Sequence, residues 1–417
     1  MANTTLTADI IAKEAVRVLD NELVMAKKVF RGYEEDYNLK PNGYKVGETI
    51  TIRKPTDFTV RDGATMNVQD VVEGKTTLTV NKRKGVDFKF TSQDLTLKIE
   101  DLSERVIKPA MVQLANQIDS DLHGLYYKVP NWVGTPGQQI NSFADFYAGV
   151  TRMNEMAVPM DNRCAVMSAP DHGALVGSQT GLFTDTIVKP AYRSGETGMI
   201  GGVDLYMTQN VRNHTNGAFA GTVLVDQALT ASTTSYAVEK DDMIQTIHID
   251  GLTSATAQLA AGDVFTIADV FDVNPVTKEK KPHLKEFTIV VTPAAAVSNE
   301  VDIQIYPALI WNGAFKNVHV TAGVADLNNK ALTFKGTQSV AYPQNMIFHK
   351  NAFALVTVPL IAPPGAVDVA RRTYNGTSVR VIPVYDGVND ESAWRLDMLY
   401  AADVIDPRLA TRLSGAA

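Results

Sequence analysis

Apolar positions near the start of the chain recur at helical spacing. Ile10, Ile11, Ala15, Val18, Leu19 and Leu23 stripe one face of a segment from about Thr7 to Val29. Thr7 is placed to cap that helix, and Asp9 sits in the first turn, where negative charge is favoured. RGYEEDYNLKPNGYK then breaks the pattern with Pro41 and Gly43, and the period falls to two. Ile50 and Ile52 alternate with Thr49, Thr51 and Arg53, a strand signature. KTTLTVNKRKGVDFKFTS reads as two more strands about a turn at Lys82-Arg83-Lys84-Gly85. Residues 43–92 together form an extended two-stranded excursion without a core of its own, which is marginal unless it lies on something else. Helical spacing returns from about Asp101 to Tyr127, where Met111, Leu114, Ala115, Ile118, Leu122, Leu125 and Tyr126 step by three and four. Pro109 either kinks that helix or opens its main segment.

Residues 141–222 alternate helix and strand. NSFADFYAGVTRMNEM is a helix with Asn141 or Ser142 as cap, RCAVMSAP a short buried strand, and GGVDLYMTQNV a strand leaving a double-glycine turn. From about Gly221 to Gln344 helical periodicity vanishes, and TVLVD, IQTIHID, DVFTIADVF, EFTIVVT, VDIQIYP, VHVTA and ALTFKG follow as short strands. That texture predicts a small barrel or sandwich. It interrupts a mixed α/β region and hands the chain back, an arrangement tolerated when the two ends of an insertion lie close together. The chain closes with strands SVRVIPVYD and AWRLDMLYAADVI and a short tail, DPRLATRLSGAA.

Composition adds limits. The 417 residues suit two or three domains, and 45% hydrophobic against 20% charged residues supplies ample core. A formal net charge of −7 argues against tight binding of nucleic acid. The single cysteine, Cys164, lies in an apolar run and is expected to be a buried thiol. The N-terminus lacks the basic start and apolar block of a signal peptide, and no run of about 20 apolar residues predicts a membrane span.

Candidate chemistry is sparse. EGKTT at Glu73–Thr77 resembles the end of a phosphate loop, but Gln69 stands where the pattern needs glycine, and a strand follows. GSQTG is not a nucleophile elbow, and Asp171-His172 is an ordinary helix start. No two of the seven histidines have metal-ligand spacing in sequence. No catalytic, cofactor or metal residues are therefore assigned. The basic run Lys82, Arg83, Lys84 admits a nucleic-acid patch or a solvated turn that docks on a neighbour's acids. The second is favoured, since no aromatic residues interleave with it. Lys278, Glu279, Lys280 and Lys281, in GDVFTIADVFDVNPVTKEKKPHLKEFTIVV, read as a solvated loop between two strands and as a second candidate subunit contact.

The order of these pieces resembles the major capsid (coat) protein of tailed double-stranded DNA phages, specifically the short-tailed-phage type with an inserted β-barrel. MVQLANQIDSDLHGLYY is similar to its spine helix, and GMIGGVDLYMTQNV to its glycine turn and strand. GDVFTIADVFDVNPVTKEKKPHLKEFTIVV is similar to the barrel's strand-loop-strand. FHKNAFALVTVPL and RLDMLYAADVIDPRLATRLSG are similar to the return and closing strands. The resemblance implies an α+β capsid fold. Its parts would be an N-terminal arm at 1–42, an extended two-stranded loop at 43–92 and a peripheral domain with the spine helix at 93–140. An axial domain would follow at 141–220, the inserted barrel at 221–344, and a second axial part with C-terminal strands and tail at 345–417. It implies hexamers and pentamers in an icosahedral shell, a scaffolding protein, a portal, loosely held packaged double-stranded DNA, no cofactor and no membrane. The shell would be assembled in the bacterial host cytoplasm and would end in the virion. Some members carry a long polar loop early in the insert that bridges capsomers; VEKDDMIQTIHIDG is too short for it, and Pro275–Lys285 is the candidate to take its place. A nanocompartment shell of the same fold and a hydrolase with a β accessory domain are the alternatives; a fibre protein would need repeats, which the chain lacks.

Overall fold

A computed structural model of the chain describes residues 8–33, 49–61, 63–66, 68–91, 103–179, 198–232, 235–253, 258–363 and 369–416. The expected Thr7 cap, the start of the spine helix at Asp101 and most of the break after Arg31 lie outside them. The chain forms two compact units. One comprises Met1–Ile50, Thr77–His123 and Phe353–Asp403; the other comprises Thr51–Thr76, Gly124–Ala352 and Val404–Ala417. The stretches expected as the extended loop, the spine domain and the C-terminal part of the axial domain are thus each shared between the two.

In the first unit, helix α1 (Ala8–Glu22) buries Ile11, Ala15, Leu19 and their neighbours, and it packs on α2 (Lys108–His123) and on a five-stranded sheet. α1 is shorter than the sequence pattern suggests. A 3₁₀ turn at Met25–Lys27 takes over, because buried Asp119 of α2 accepts from the amides of Val24 (2.8 Å) and Ala26 (3.0 Å). Met111, Leu114, Ala115, Ile118 and Leu122 are buried along α2, and Pro109 is its second residue. A single π turn, Ser103–Ile107, precedes it, since proline offers no amide to continue a regular ladder backwards.

The sheet is built on the hairpin Thr377–Asp386 and Glu391–Val404. Lys82–Thr91 pairs with Glu391–Tyr400 over ten residues. This corrects the predicted turn: Lys82, Arg83, Lys84 and Gly85 lie inside a strand, and Gly85 allows close approach to Leu396, whose carbonyl would stand 2.6 Å from an added Cβ. Among the described residues, the two arms of the extended excursion pair with each other over a short ladder, Thr49–Arg53 with Lys75–Thr79.

In the second unit, a six-stranded sheet carries α3 (Phe143–Glu155) and α4 (Ala169–Gln179). Ser142 caps α3 by accepting from the Asp145 amide at 3.1 Å. Phe146, Val150 and Met153 bury one face of α3 in a core shared with Ala165, Met167, Ile347 and Leu413, each large side chain contributing about 1.5–3 kcal/mol. Cys164 lies buried in the central strand Arg163–Met167. Asp171 is a structural anchor. It accepts from Ser168 Oγ (2.6 Å), Asn345 Nδ2 (2.7 Å) and the Ile140 amide (3.2 Å). The expected tail is no tail: Ala410–Leu413 is a fully buried strand between Trp132–Val133 and Asn345–His349.

The seven stretches read as strands between 221 and 344 all contain strands of one seven-stranded sheet. Alternate residues Val223, Val225, Ile247, Ile249, Phe265, Ile267, Phe287, Ile289, Ile303 and Ile305 fill a single core. Leu332–Phe334 pairs with Val264–Val273, and the adjoining Ala331 bridges to Leu224 of the first strand, so the sheet closes into a barrel with Val318–Val320 as an outlying strand. The chain enters and leaves through a paired ribbon, Asn213–Thr215 against Ala341–Pro343.

Candidate assembly surfaces and the seat of the barrel

The barrel is held on the six-stranded sheet by a buried polar network. Arg412, on the buried C-terminal strand, is its centre. It donates to the Gly262 carbonyl (2.7 Å), Thr288 Oγ1 (3.1 Å), Gln344 Oε1 (3.3 Å) and the Tyr127 carbonyl (3.4 Å), and lies over the rings of Tyr126 and Trp132. Burial pushes its pKa down to about 10, so the guanidinium stays charged at neutral pH. Beside it, His214 of the ribbon joins Asp263 (2.9 Å) to the Tyr126 hydroxyl (3.2 Å), and Asp263 also accepts from the amides of Ala260 and Gly217. Glu286 of the barrel accepts from the Trp132 amide (2.9 Å), Lys335 (2.8 Å) and Arg152 of α3 (3.4 Å). Lys335 also donates to the Trp132 carbonyl.

A second node sits on the barrel strand Lys280–Ile289. Asp272, fully buried, binds Lys285 (2.7 Å), His283 (3.2 Å) and Lys281 (3.4 Å), while Lys281 donates to the Glu155 carbonyl at the end of α3 (2.7 Å). Burial alone would raise the Asp272 carboxyl, but the two lysines and the hydrogen bond with His283 hold it well below the usual carboxylate range. A folded pKa below the unfolded value near 3.8 contributes stability that is present above that pH and lost as pH falls from there through the folded pKa. Asp272→Asn is expected to lose about 3–5 kcal/mol at neutral pH by stranding two buried lysines. Urea midpoints between neutrality and acid should fall below pH 4 less steeply for the variant than for the parent.

The sequence-predicted contact residues separate on this view. Lys281 is buried and internally engaged, which removes it from any outward face; the signal missed was that LKE-type charge can line a barrel's seat. Lys280 is exposed and lies 3.5 Å from the centroid of the Phe271 ring, and Glu279 is exposed. Lys278 pairs with Asp57 at 3.6 Å. The loop expected at Pro275–Lys285 shrinks to the turn Asn274–Glu279, closed by Asn274 N–H on the Glu279 carbonyl (3.0 Å), because the strand resumes at Lys280. Arg83 pairs with buried Asp397 (2.8 Å) and Lys82 with Asp121 (3.6 Å), leaving Lys84 exposed along the strand. The basic run is therefore mostly occupied within its own unit. Arg412, Asp263, His214 and Glu286 were not singled out from sequence.

Outward apolar groups gather elsewhere. Between the two strands of the short ladder, Phe58 (57% exposed), Val60 (99%), Met66 (77%), Val68 (76%) and Val71 (65%) present apolar surface to solvent from a stretch without regular structure. This part of the chain is tied to the same unit at its base, where Lys54 donates to the Asp241 carbonyl (2.6 Å).

A family model described as P22 coat protein – gene protein 5 matches residues 1–415. The chain belongs to the P22 coat protein family. It is thus the major capsid protein of a phage, with an α+β capsid fold that carries the barrel described above. The chain is similar to the major capsid protein of Acyrthosiphon pisum secondary endosymbiont phage 1, with 23% identity over 386 residues, 88% of this chain and 89% of that protein. Among solved structures, one from Mycobacterium phage Che8 aligns at 13% identity over 94% of this coat protein and 90% of that chain, with a TM-score of 0.49. The capsid of cyanophage P-SCSP1u aligns at 9% identity over 90% and 85%, with a TM-score of 0.43. The buried network accordingly belongs to a coat protein, where its chemistry is that of holding one module on another.

Proposed function

We propose that this coat protein closes as hexamers and pentamers into an icosahedral head around double-stranded DNA, and that it carries no catalytic duty. The observation that supports this is the apolar stretch from Phe58 to Val71, which an isolated subunit leaves in water and a neighbouring copy would cover. Interfaces of the obligate class, on the order of 2,000–5,000 Å², need no covalent bond. Helix α1 of the expected N-terminal arm, 1–42, is packed within its own unit and is not proposed as a contact with a further copy; exposed Lys84, Glu279 and Lys280 remain candidates for the polar rim of such contacts. A scaffolding protein and a portal are the remaining partners, with assembly in the bacterial cytoplasm. A net charge of −7 favours packaged DNA that stays mobile, since an acidic balance offers phosphates little net attraction.

Negative-stain microscopy together with sedimentation velocity over a concentration series tests the reading. Closed shells or hexameric sheets that grow with concentration are expected. A compact, protease-resistant monomer at high concentration would overturn it.

A further inference from the structure

We propose that Asp226, His248 and Glu300 form a site for one divalent transition-metal ion of the zinc class on the outer wall of the barrel. One ligand atom from each of the three lies within 4.8 Å of the others. Ligands bound at about 2.0–2.2 Å stand somewhat closer than that around a metal, so small side-chain rotations complete the set. His248 lies within one strand, and Asp226 just after and Glu300 just before the two strands that flank it. His248 lies opposite Asp302 across the ladder of Gln245–Leu252 and Val301–Tyr306, and Glu300 directly precedes the second of these strands. The Asp226 amide donates to the His248 carbonyl at 3.0 Å, which fixes the third ligand beside the first. Ile247, Ile249, Ile303 and Ile305 on the same strands point into the barrel core, so this constellation stands on a rigid wall.

The imidazole is also oriented as a metal ligand requires. Its Nδ1 is 2.7 Å from Asp302 Oδ1, and an ionised carboxylate only accepts, so Nδ1 carries the proton. Nε2 then faces Glu300, 3.6 Å from Oε2. A carboxylate holding the far nitrogen of a ligating histidine is the usual outer support of such sites. Imidazole with two carboxylates suits zinc, cobalt or nickel better than magnesium or calcium. Three protein ligands leave a position for water, so the site is weaker than a closed four-ligand one, and metal entry displaces any proton on Nε2.

The test uses the full-length chain, stripped with chelator, titrated with Zn²⁺ by calorimetry and with Co²⁺ by visible absorption. One equivalent is expected to bind with proton release. His248→Ala and Glu300→Gln should each weaken it more than about tenfold, and Asp302→Asn by about 10–100-fold, with circular dichroism unchanged. Glu300 is half-exposed, so its variant keeps the comparison valid if the histidine variant folds poorly. A millimolar excess of Mg²⁺ should leave the bound Zn²⁺ in place. Zinc binding that survives both His248→Ala and Glu300→Gln, no binding above that of the variants, or ready displacement by Mg²⁺ would each overturn the assignment.

Discussion

Arg412→Ala is expected to destabilise the second unit by at least about 3 kcal/mol, read as a fall in urea midpoint and in melting temperature. Truncation removes a guanidinium that satisfies the Gly262 carbonyl and the side chains of Thr288 and Gln344 in fully buried contacts, and that also reaches the part-buried Tyr127 carbonyl, which keeps the Thr288 hydroxyl as a donor. Each buried acceptor left without a donor costs about 1–3 kcal/mol. The lost volume under Tyr126 and Trp132 adds a cavity term. Replacing a whole buried charge cluster by apolar groups is often neutral, because charge and partners leave together. Here the partners, two backbone carbonyls and two side chains, stay behind, so Arg412→Met should also lose stability, though less than alanine because it fills the space. Arg412→Lys restores the charge without the planar fork and should fall between parent and alanine. An Arg412→Met chain melting with the parent would show that the network contributes nothing net.

The second large effect concerns assembly rather than folding. In Val60→Asp with Val68→Asp, both substitutions sit on side chains that are mostly in water in the subunit, so its melting temperature should be unchanged. If the Phe58–Val71 stretch is covered by another copy, each aspartate is carried into that interface at a cost of several kcal/mol. Every 1.4 kcal/mol is about tenfold in association, so sedimenting particles should fall by far more than tenfold at a fixed concentration. Normal shells from this variant would place the assembly contacts elsewhere. Serine at the same positions, which adds no charge, should give an intermediate yield.

Much of the fold is legible in the residues, and the failures have common causes. The barrel strands declare themselves because alternation such as Ile247, Ile249 and Ile303, Ile305 is the direct imprint of a closed wall with one wet face. The spine stripe does the same at helical period. Lys82-Arg83-Lys84-Gly85 misleads because three cations and a glycine have the composition of a turn, whereas the glycine is needed for a close strand approach to Leu396. ATRLSG looks like a polar tail because an arginine and hydroxyls occupy it. The partners that bury Arg412 lie 150, 124 and 285 residues away at Gly262, Thr288 and Tyr127. No local pattern encodes such pairings, and Lys281 was assigned to solvent for the same reason. Charge written in sequence does not say whether water or a buried carboxylate will meet it.

The ribbon of Asn213–Thr215 and Ala341–Pro343 sets entry and exit side by side. A module hung from such a two-lane junction can be cut out and its stumps rejoined by a tight turn without moving the strands of its host. That makes the barrel a convenient port for grafting foreign domains onto the coat protein. The surviving host would still carry Arg412, so a workable graft must bring its own acceptors or change that arginine.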